Sequence, residues 1–424
     1  MKKISCSSLV LLMFLWLPAA ADGISGIDAG VGSRALSFAN NHTAVVNDIS
    51  AVYWNPAALA FLPVREFQIS IDAARSYGAT DVTGKYVSSV PGASMSDYRD
   101  RIRLSGLGAM SAIPTTQGGL TLAAAYENPY VFDEFGIYKY KLGGKIEGEE
   151  SFRYGGLNSW SGSFGVQVAK GLAAGMTISL ITGTERMTVL GENTWGENEI
   201  IDAEFECKYM GYGIRGGLLY NPIEYLMFGM RINMPIDLRF KEEWSGKIFW
   251  DDETEDKLSL PKAKGRAYRA PSGALGAGIK LPWITIALDG RFTMPYTFIL
   301  PSENIPKSSQ ARYFKCGAGV GLEVPLFVAP VVLRAGYSYD EYDIFSTVLK
   351  FDGDDEFIDW DPNGLSVDKN RQTITAGMGI FTSGTGIELS YGYQTWGVAH
   401  KNSDRLLKQT FAAHRVMTTF ITRF

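Results

Sequence analysis

Residues able to carry acid–base, nucleophilic or metal chemistry are sparse in this chain. The three histidines, His42, His400 and His414, have no ligand spacing and no evident carboxylate partner, so no metal site is expected. There is no Gly-x-Ser-x-Gly elbow, and so few histidines leave little for a hydrolase to work with; no enzyme activity and no cofactor is assigned. The Asp-rich tract at 352–361 lacks the glycine turn of a calcium loop and reads as a solvated acidic loop. Gly317, Gly319 and Gly321 in GAGVGLE are followed by no helix. Their spacing of two sets them on one face of a strand as small inward residues, not as a phosphate loop. Cys207 and Cys316 make no disulfide framework. What stands out instead is SAVYWNPAALAFLP, residues 50–63, where Asn55 and Pro56 interrupt an apolar run beside Tyr53 and Trp54. In an arbitrary protein this is a helix-breaking turn packed in a core. Its meaning depends on the elements around it.

The chain opens with MKKISCSSLVLLMFLWLPAAADG, which has the charged start, apolar run and small-residue end of an export signal, with cleavage expected after Ala21. Cys6 precedes the apolar run, so no lipid anchor is expected. No later stretch reaches the ~20 apolar residues of a membrane-spanning helix, whereas a spanning strand needs only ~9–11. Of 424 residues, 47 are Gly, 21 Tyr, 23 Phe and 9 Trp, a composition that leans to strands. The net charge of -5 comes with no basic stripe, which argues against a nucleic-acid partner.

Period-two alternation recurs along the chain. In FQISIDAA, Phe67, Ile69, Ile71 and Ala73 alternate with Gln68, Ser70 and Asp72, giving one oily and one wet face. Fourteen such strands are expected, near 65–76, 101–113, 117–128, 158–169, 172–188, 202–220, 224–240, 268–280, 282–293, 311–324, 328–340, 371–383, 385–396 and 411–424. Their connections alternate strictly. IPTTQ, AKGL, NPIE, LPW, VPLFV and SGT are tight, while 77–100, 129–157, 189–201, 241–267, 294–310, 341–370 and 397–410 are long. A soluble sandwich has no reason to sort its loops this way; an outer-membrane barrel does. The predicted fold class is therefore all-β, a fourteen-stranded antiparallel transmembrane β-barrel. Both termini are expected on the periplasmic side, with the long loops, including the acidic FWDDETEDK and FDGDDEFIDWD, facing outward. The last strand ends in Phe424, with Phe420, Thr418 and Val416 on the same face, like the terminal aromatic read by the outer-membrane insertion machinery. The expected organisation is a signal peptide at 1–21, an N-terminal hatch plugging the lumen at 22–63 and the barrel at 64–424. So many strands enclose a lumen too wide for wall side chains to fill.

Residues 30–59 resemble the N-terminal hatch of FadL-type outer-membrane transporters of long-chain fatty acids and other hydrophobic compounds. Gly32-Ser33-Arg34-Ala35, Asp48, Ser50-Ala51, Asn55-Pro56-Ala57 and Leu59 carry the likeness, and LRAGYSYDEYDI and RQTITAGMGI look like that family's late strands. Where the family carries glycines, this chain has Phe38, Ala39, Asn40 and Asn41. The resemblance implies passive uptake: capture among the outer loops, passage to a lumenal pocket lined by Asp22, Gly23 and Ile24 and by the hatch, hatch movement, and lateral release into the bilayer. Within the hatch, Asn55 would hold the turn that Pro56 enforces, and Val52, Tyr53, Trp54 and Leu59 would give it an oily surface. Arg34 and Asp48 are expected to pair with lumenal groups such as Arg103, Arg215, Arg334 or Glu388. Pro129 after Asn128, and Gly118-Gly119, are candidates for a lateral gap, since proline removes a ladder donor and glycine permits a bulge; a strand end meeting its loop is the other reading. The implied partners are a hydrophobic small molecule and outer-membrane lipids, and a monomer is expected. The alternative function is a barrel that shuttles or docks secreted proteins.

Overall fold

The computed structural model describes residues 27–424 apart from 85–86, 89–94, 133, 143–144, 194–198, 251–254, 260–261, 295–314, 328, 342–346, 352–364 and 402–404. The signal segment, Asp22, Gly23 and Ile24, the connection at 294–310 and most of both acidic tracts thus lie outside the described residues.

The wall is a closed antiparallel barrel of fourteen strands. In chain order they are β1 (Arg65–Gly84), β2 (Met95–Ile113), β3 (Leu120–Val131), β4 (Lys145–Ala169), β5 (Leu172–Asn193), β6 (Glu199–Ile223), β7 (Leu226–Asn233, resumed as Ile236–Trp250) and β8 (Ala263–Arg269, resumed as Ser272–Leu281). The circuit continues with β9 (Ile284–Thr293), β10 (Lys315–Leu326), β11 (Val331–Asp340), β12 (Leu365–Phe381), β13 (Thr385–Lys401) and β14 (Arg405–Arg423). Closure comes from β14, which pairs with β13 on one side and with β1 on the other, Glu66 opposite Arg423. The interruptions in β7 and β8 fall at Pro235 and Pro271, which have no N–H to give a ladder.

On the short-turn side the strands end within a few residues of the positions expected from alternation. On the other side they run further: β1 to Gly84, β2 from Met95, β4 from Lys145. Much of what reads as long loop is extended ladder, and it includes the additional strand Glu134–Leu142, which pairs with β4.

Two surfaces explain why the prolongations were hidden. Through the lower wall the outward row is apolar, with Ile71, Leu122, Ile178, Ile214 and Leu288 exposed, and the inward row is polar, with Ser70, Asp72, Thr177 and Ser390 buried. This is the arrangement a bilayer requires. Along β6 the pleat continues unchanged, yet the chemistry inverts. Met210, Tyr212, Ile214 and Leu218 point out below, whereas above them Glu204, Glu206 and Lys208 point out and Phe205, Cys207 and Tyr209 point in. The inversion marks where the wall leaves lipid and enters water.

Inside the ring lies the N-terminal segment. From 29 to 60 every residue is buried except Asn40, half-buried, and Asn47, exposed. It comprises helix α1 (Ser33–Ser37), helix α2 (Ala51–Trp54) and a 3-10 helix (Pro56–Phe61). The 3-10 helix packs on β4, β5 and β6, while α1 packs on β11 to β14, so the segment reaches across the lumen.

Candidate functional site

The Asn55-Pro56 pair builds the inner segment's attachment to the wall. Asn55 ends α2 in an extended conformation and caps the next helix, its Oδ1 accepting from the Ala57 N–H at 3.2 Å, while Pro56 takes the first helical position, where no N–H is needed. The Asn55 Nδ2 donates to the Thr43 carbonyl at 2.9 Å and to the Leu218 carbonyl of β6 at 3.0 Å. Gly217 makes this approach possible: a Cβ there would lie 2.2 Å from Asn55 Oδ1. Gly321 likewise leaves room for the Phe38 ring, and Gly319 for Asn41. These two glycines face inward, as their spacing predicts. Gly317 instead meets Asp340.

At the position where glycines are replaced, Ala39 and Asn40 adopt φ of 51° and 65°. The left-handed turn is kept without glycine, at about 1 kcal/mol for the alanine.

Arg34 pairs with Glu323 of β10, a partner absent from the expected set, through Nε at 2.9 Å and Nη2 at 3.1 Å. Glu323 also accepts from Arg334 at 2.7 Å, and Arg334 pairs with Glu388 at 2.9 Å, so two of the named lumenal groups join the same cluster. Arg103 and Arg215 do not bind Arg34 or Asp48. Arg103 pairs with Asp72, and Arg215 donates to the Val52 carbonyl. Asp48 does not reach across the lumen either; its carboxylate accepts from the Ser50 N–H at 2.8 Å and shapes the turn before α2.

Val52, Tyr53, Trp54 and Leu59 are at most 2% exposed. They form the core of the inner segment with Val31, Ala35 and Ile49, and the Tyr53 ring lies 4.4 Å beneath the Arg215 guanidinium. They present no open surface to a ligand. His42 is completely buried beside Phe38 and Trp54, and among the described residues neither ring nitrogen has a hydrogen-bond partner. Burial, followed by the nearby Arg34 guanidinium, holds its pKa well below the ordinary imidazole range.

Wall pairing breaks at one end of β3. Its ladder with β2 runs from Ile113 opposite Leu120 to Gly106 opposite Glu127, and among the described residues Met95–Ser105 makes no pairing with β3. Ser105 is an extra residue there, since the β1 register steps from Ser70↔Gly106 to Ile71↔Leu104. Beyond Glu127 the end of β3 pairs with Ile27–Asp28 instead, and the Ala29 N–H donates to the Pro129 carbonyl at 2.7 Å. The Asn128 carbonyl is satisfied by Arg103 Nη1 at 2.6 Å, a side chain replacing a missing backbone donor. Asn128 and Pro129 therefore stand at the break. Gly118 and Gly119 do not: they lie at the short turn, where Leu120 remains paired on both sides and Gly119 makes room for the Ala60 carbonyl.

Next to this break, the inverted upper wall forms an apolar chamber. Ile181, Met187, Phe205, Tyr209, Leu238 and Phe240 line it from β5, β6 and β7, and Tyr130 and Phe132, just past the break, pack against them. Within this cluster Arg153 of β4 and Glu185 of β5 form a buried pair at 2.5 Å, and the Tyr209 hydroxyl donates to the other Glu185 oxygen at 2.6 Å. The phase inversion on β6 could have revealed the chamber from sequence; the fold over it by Phe132 could not.

A separate depression of about 490 Å³ lies on the outer wall against Ile374, Ala376, Tyr391, Tyr393 and His414. It faces the bilayer, not the lumen, and the two cysteines, Cys207 buried and Cys316 exposed, are both free thiols.

Together these features define a class: a fourteen-stranded transmembrane barrel occupied by its own N-terminal segment, with an apolar chamber beside a break in the wall. Solved structures share this fold. A FadL homologue from Pseudomonas aeruginosa aligns over 92% of this chain and 98% of its own, with a TM-score of 0.63 at 12% identity. The toluene transporter TodX of Pseudomonas putida aligns over 94% and 99%, with a TM-score of 0.61 at 14% identity. The monoaromatic hydrocarbon channel CymD aligns over 94% and 98%, with a TM-score of 0.57 at 11% identity. No family model matches the sequence, and no curated protein matches it.

Proposed function

We propose that this protein is an outer-membrane channel for the passive uptake of hydrophobic compounds. The observation that carries this reading is the apolar chamber placed between the inner segment and the break at Asn128-Pro129. The inner segment acts as a plug that denies polar solutes a direct path. A ligand entering from the side of the long connections loses water in the chamber and leaves sideways through the break into lipid. Its own partition, ~0.8 kcal/mol per buried CH₂, supplies the driving force, so no nucleotide or ion gradient is needed. Structures described as a FadL homologue and as toluene and monoaromatic hydrocarbon transporters share the fold, which supports hydrophobic cargo.

The test is uptake of radiolabelled toluene and laurate by cells expressing the protein in a background without such channels. Faster entry of either compound, with unchanged entry of a small sugar, is expected. Equal acceleration of the sugar would make the protein an open pore. No acceleration of any solute, together with co-purification of a secreted protein, would favour the docking function instead.

A further inference from the structure

We infer that the chamber selects neutral hydrocarbons against carboxylates, and that Glu185 is the residue that sets this preference. The inference rests on the reading that ligands occupy the chamber. On the inward row of β5, Glu185 stands between Ile181 and Met187, a single carboxylate in an otherwise apolar line. Both of its oxygens are engaged, Oε1 by Arg153 and Oε2 by the Tyr209 hydroxyl. Arg153 lies over the Phe132 ring at 5.2 Å and is 4% exposed. The other charged groups on inward rows here are Arg269, stacked over Tyr130 at 4.0 Å, and Glu242 of β7. Two guanidinium groups thus face two carboxylates, and the chamber carries no net charge.

A fatty acid or aromatic acid entering this space brings a carboxylate that must either stay unpaired in apolar surroundings or displace Glu185 from Arg153. Both are unfavourable. A neutral ring or alkyl chain meets neither obstacle and exchanges one set of ring contacts for another with Phe132, Tyr209 and Phe240. Removing the Glu185 charge while keeping its shape leaves Arg153 uncompensated, which converts the same chamber into a carboxylate site.

The experiment compares toluene, benzoate and laurate binding to the full-length protein in nanodiscs by calorimetry, at a pH where both acids are ionised. Wild type is expected to prefer toluene over benzoate by about 100-fold or more, the scale of leaving a charge poorly solvated. Glu185→Gln is expected to narrow that ratio by at least tenfold, through tighter benzoate and laurate binding. The inference is overturned if wild type binds either acid as tightly as toluene, or if Glu185→Gln leaves the ratio where it was. Should Glu185→Gln fail to fold, the double variant Arg153→Met/Glu185→Leu decides. It is expected to keep the toluene preference within about threefold, because a neutral lining replaces a neutralised one. Loss of that preference would show that the ion pair itself anchors ligands and would overturn the inference. Binding of none of the three compounds by wild type is a different result, which removes the chamber reading itself.

Discussion

Replacing Asn55 by alanine should loosen the inner segment while leaving the barrel standing. The side chain makes three hydrogen bonds, two donated to the Thr43 and Leu218 carbonyls and one accepted from Ala57. At about 1 kcal/mol net for each, the docked state loses about 3 kcal/mol. That is roughly a 150-fold shift toward the undocked state, since each 1.4 kcal/mol is tenfold. None of the ladder pairs that close the wall is touched, so the heat-modifiable gel shift of the folded barrel should remain. The undocked fraction is read by single-channel conductance in planar bilayers and by limited proteolysis near residues 47–62. Gly217→Ala provides an independent perturbation of the same contact, because the added Cβ falls 2.2 Å from Asn55 Oδ1 and 2.9 Å from Pro56 Cδ. It should produce the same leak. Combined with Asn55→Ala its effect should be less than additive, since part of the clash has been removed. Conductance and proteolysis identical to wild type in Asn55→Ala, or strict additivity in the double variant, would refute the idea that this pair docks the segment.

Other consequences can be measured on the same material. His42 is buried neutral, with its folded pKa well below the unfolded value of about 6.5. Between those values only the unfolded chain binds the proton, so stability is fully present above about pH 6.5 and declines as pH falls, by up to about 2 kcal/mol at pH 5. His42→Phe should flatten the thermal-stability profile between pH 7.5 and 5, and a slope equal to wild type would contradict this. Arg34→Met breaks a bidentate pair to Glu323 that Arg334 only partly replaces, so docking should weaken by about 3 kcal/mol; proteolysis at wild-type rate would speak against it. Pro129→Ala restores an N–H at the wall break and should slow toluene uptake several fold with binding unchanged, whereas unaltered uptake would place the exit elsewhere.

Much of the wall was legible because a lipid-facing strand announces itself: FQISIDAA has the same oily and wet faces in sequence and in space. What alternation does not reveal is which face points inward once the strand leaves the bilayer. On β6 the apolar row moves from the even residues of Met210–Tyr220 to the odd residues Phe205, Cys207 and Tyr209. Reading such a shift as the end of a membrane span, not as a broken strand, would have located the chamber. The Asn55-Pro56 device was visible as a local anomaly, yet its partners were not. Leu218 is 163 residues away, and Glu323 is 289 residues from Arg34; no local rule links residues so distant. The oily residues of the inner segment were recognised as apolar but belong to its own core. Sequence supplies hydrophobicity without saying whether a ligand or a neighbouring side chain satisfies it.

The most direct measurement is a crystal structure of the protein soaked with bromobenzene, with the halogen located by anomalous scattering. The expected peak lies within contact of Phe132, Tyr209 and Phe240, above an inner segment still docked through Asn55. A chamber without bromine, with peaks confined to the outer wall near Ile374 and Tyr391 or to a continuous channel through the ring, would contradict uptake by this route.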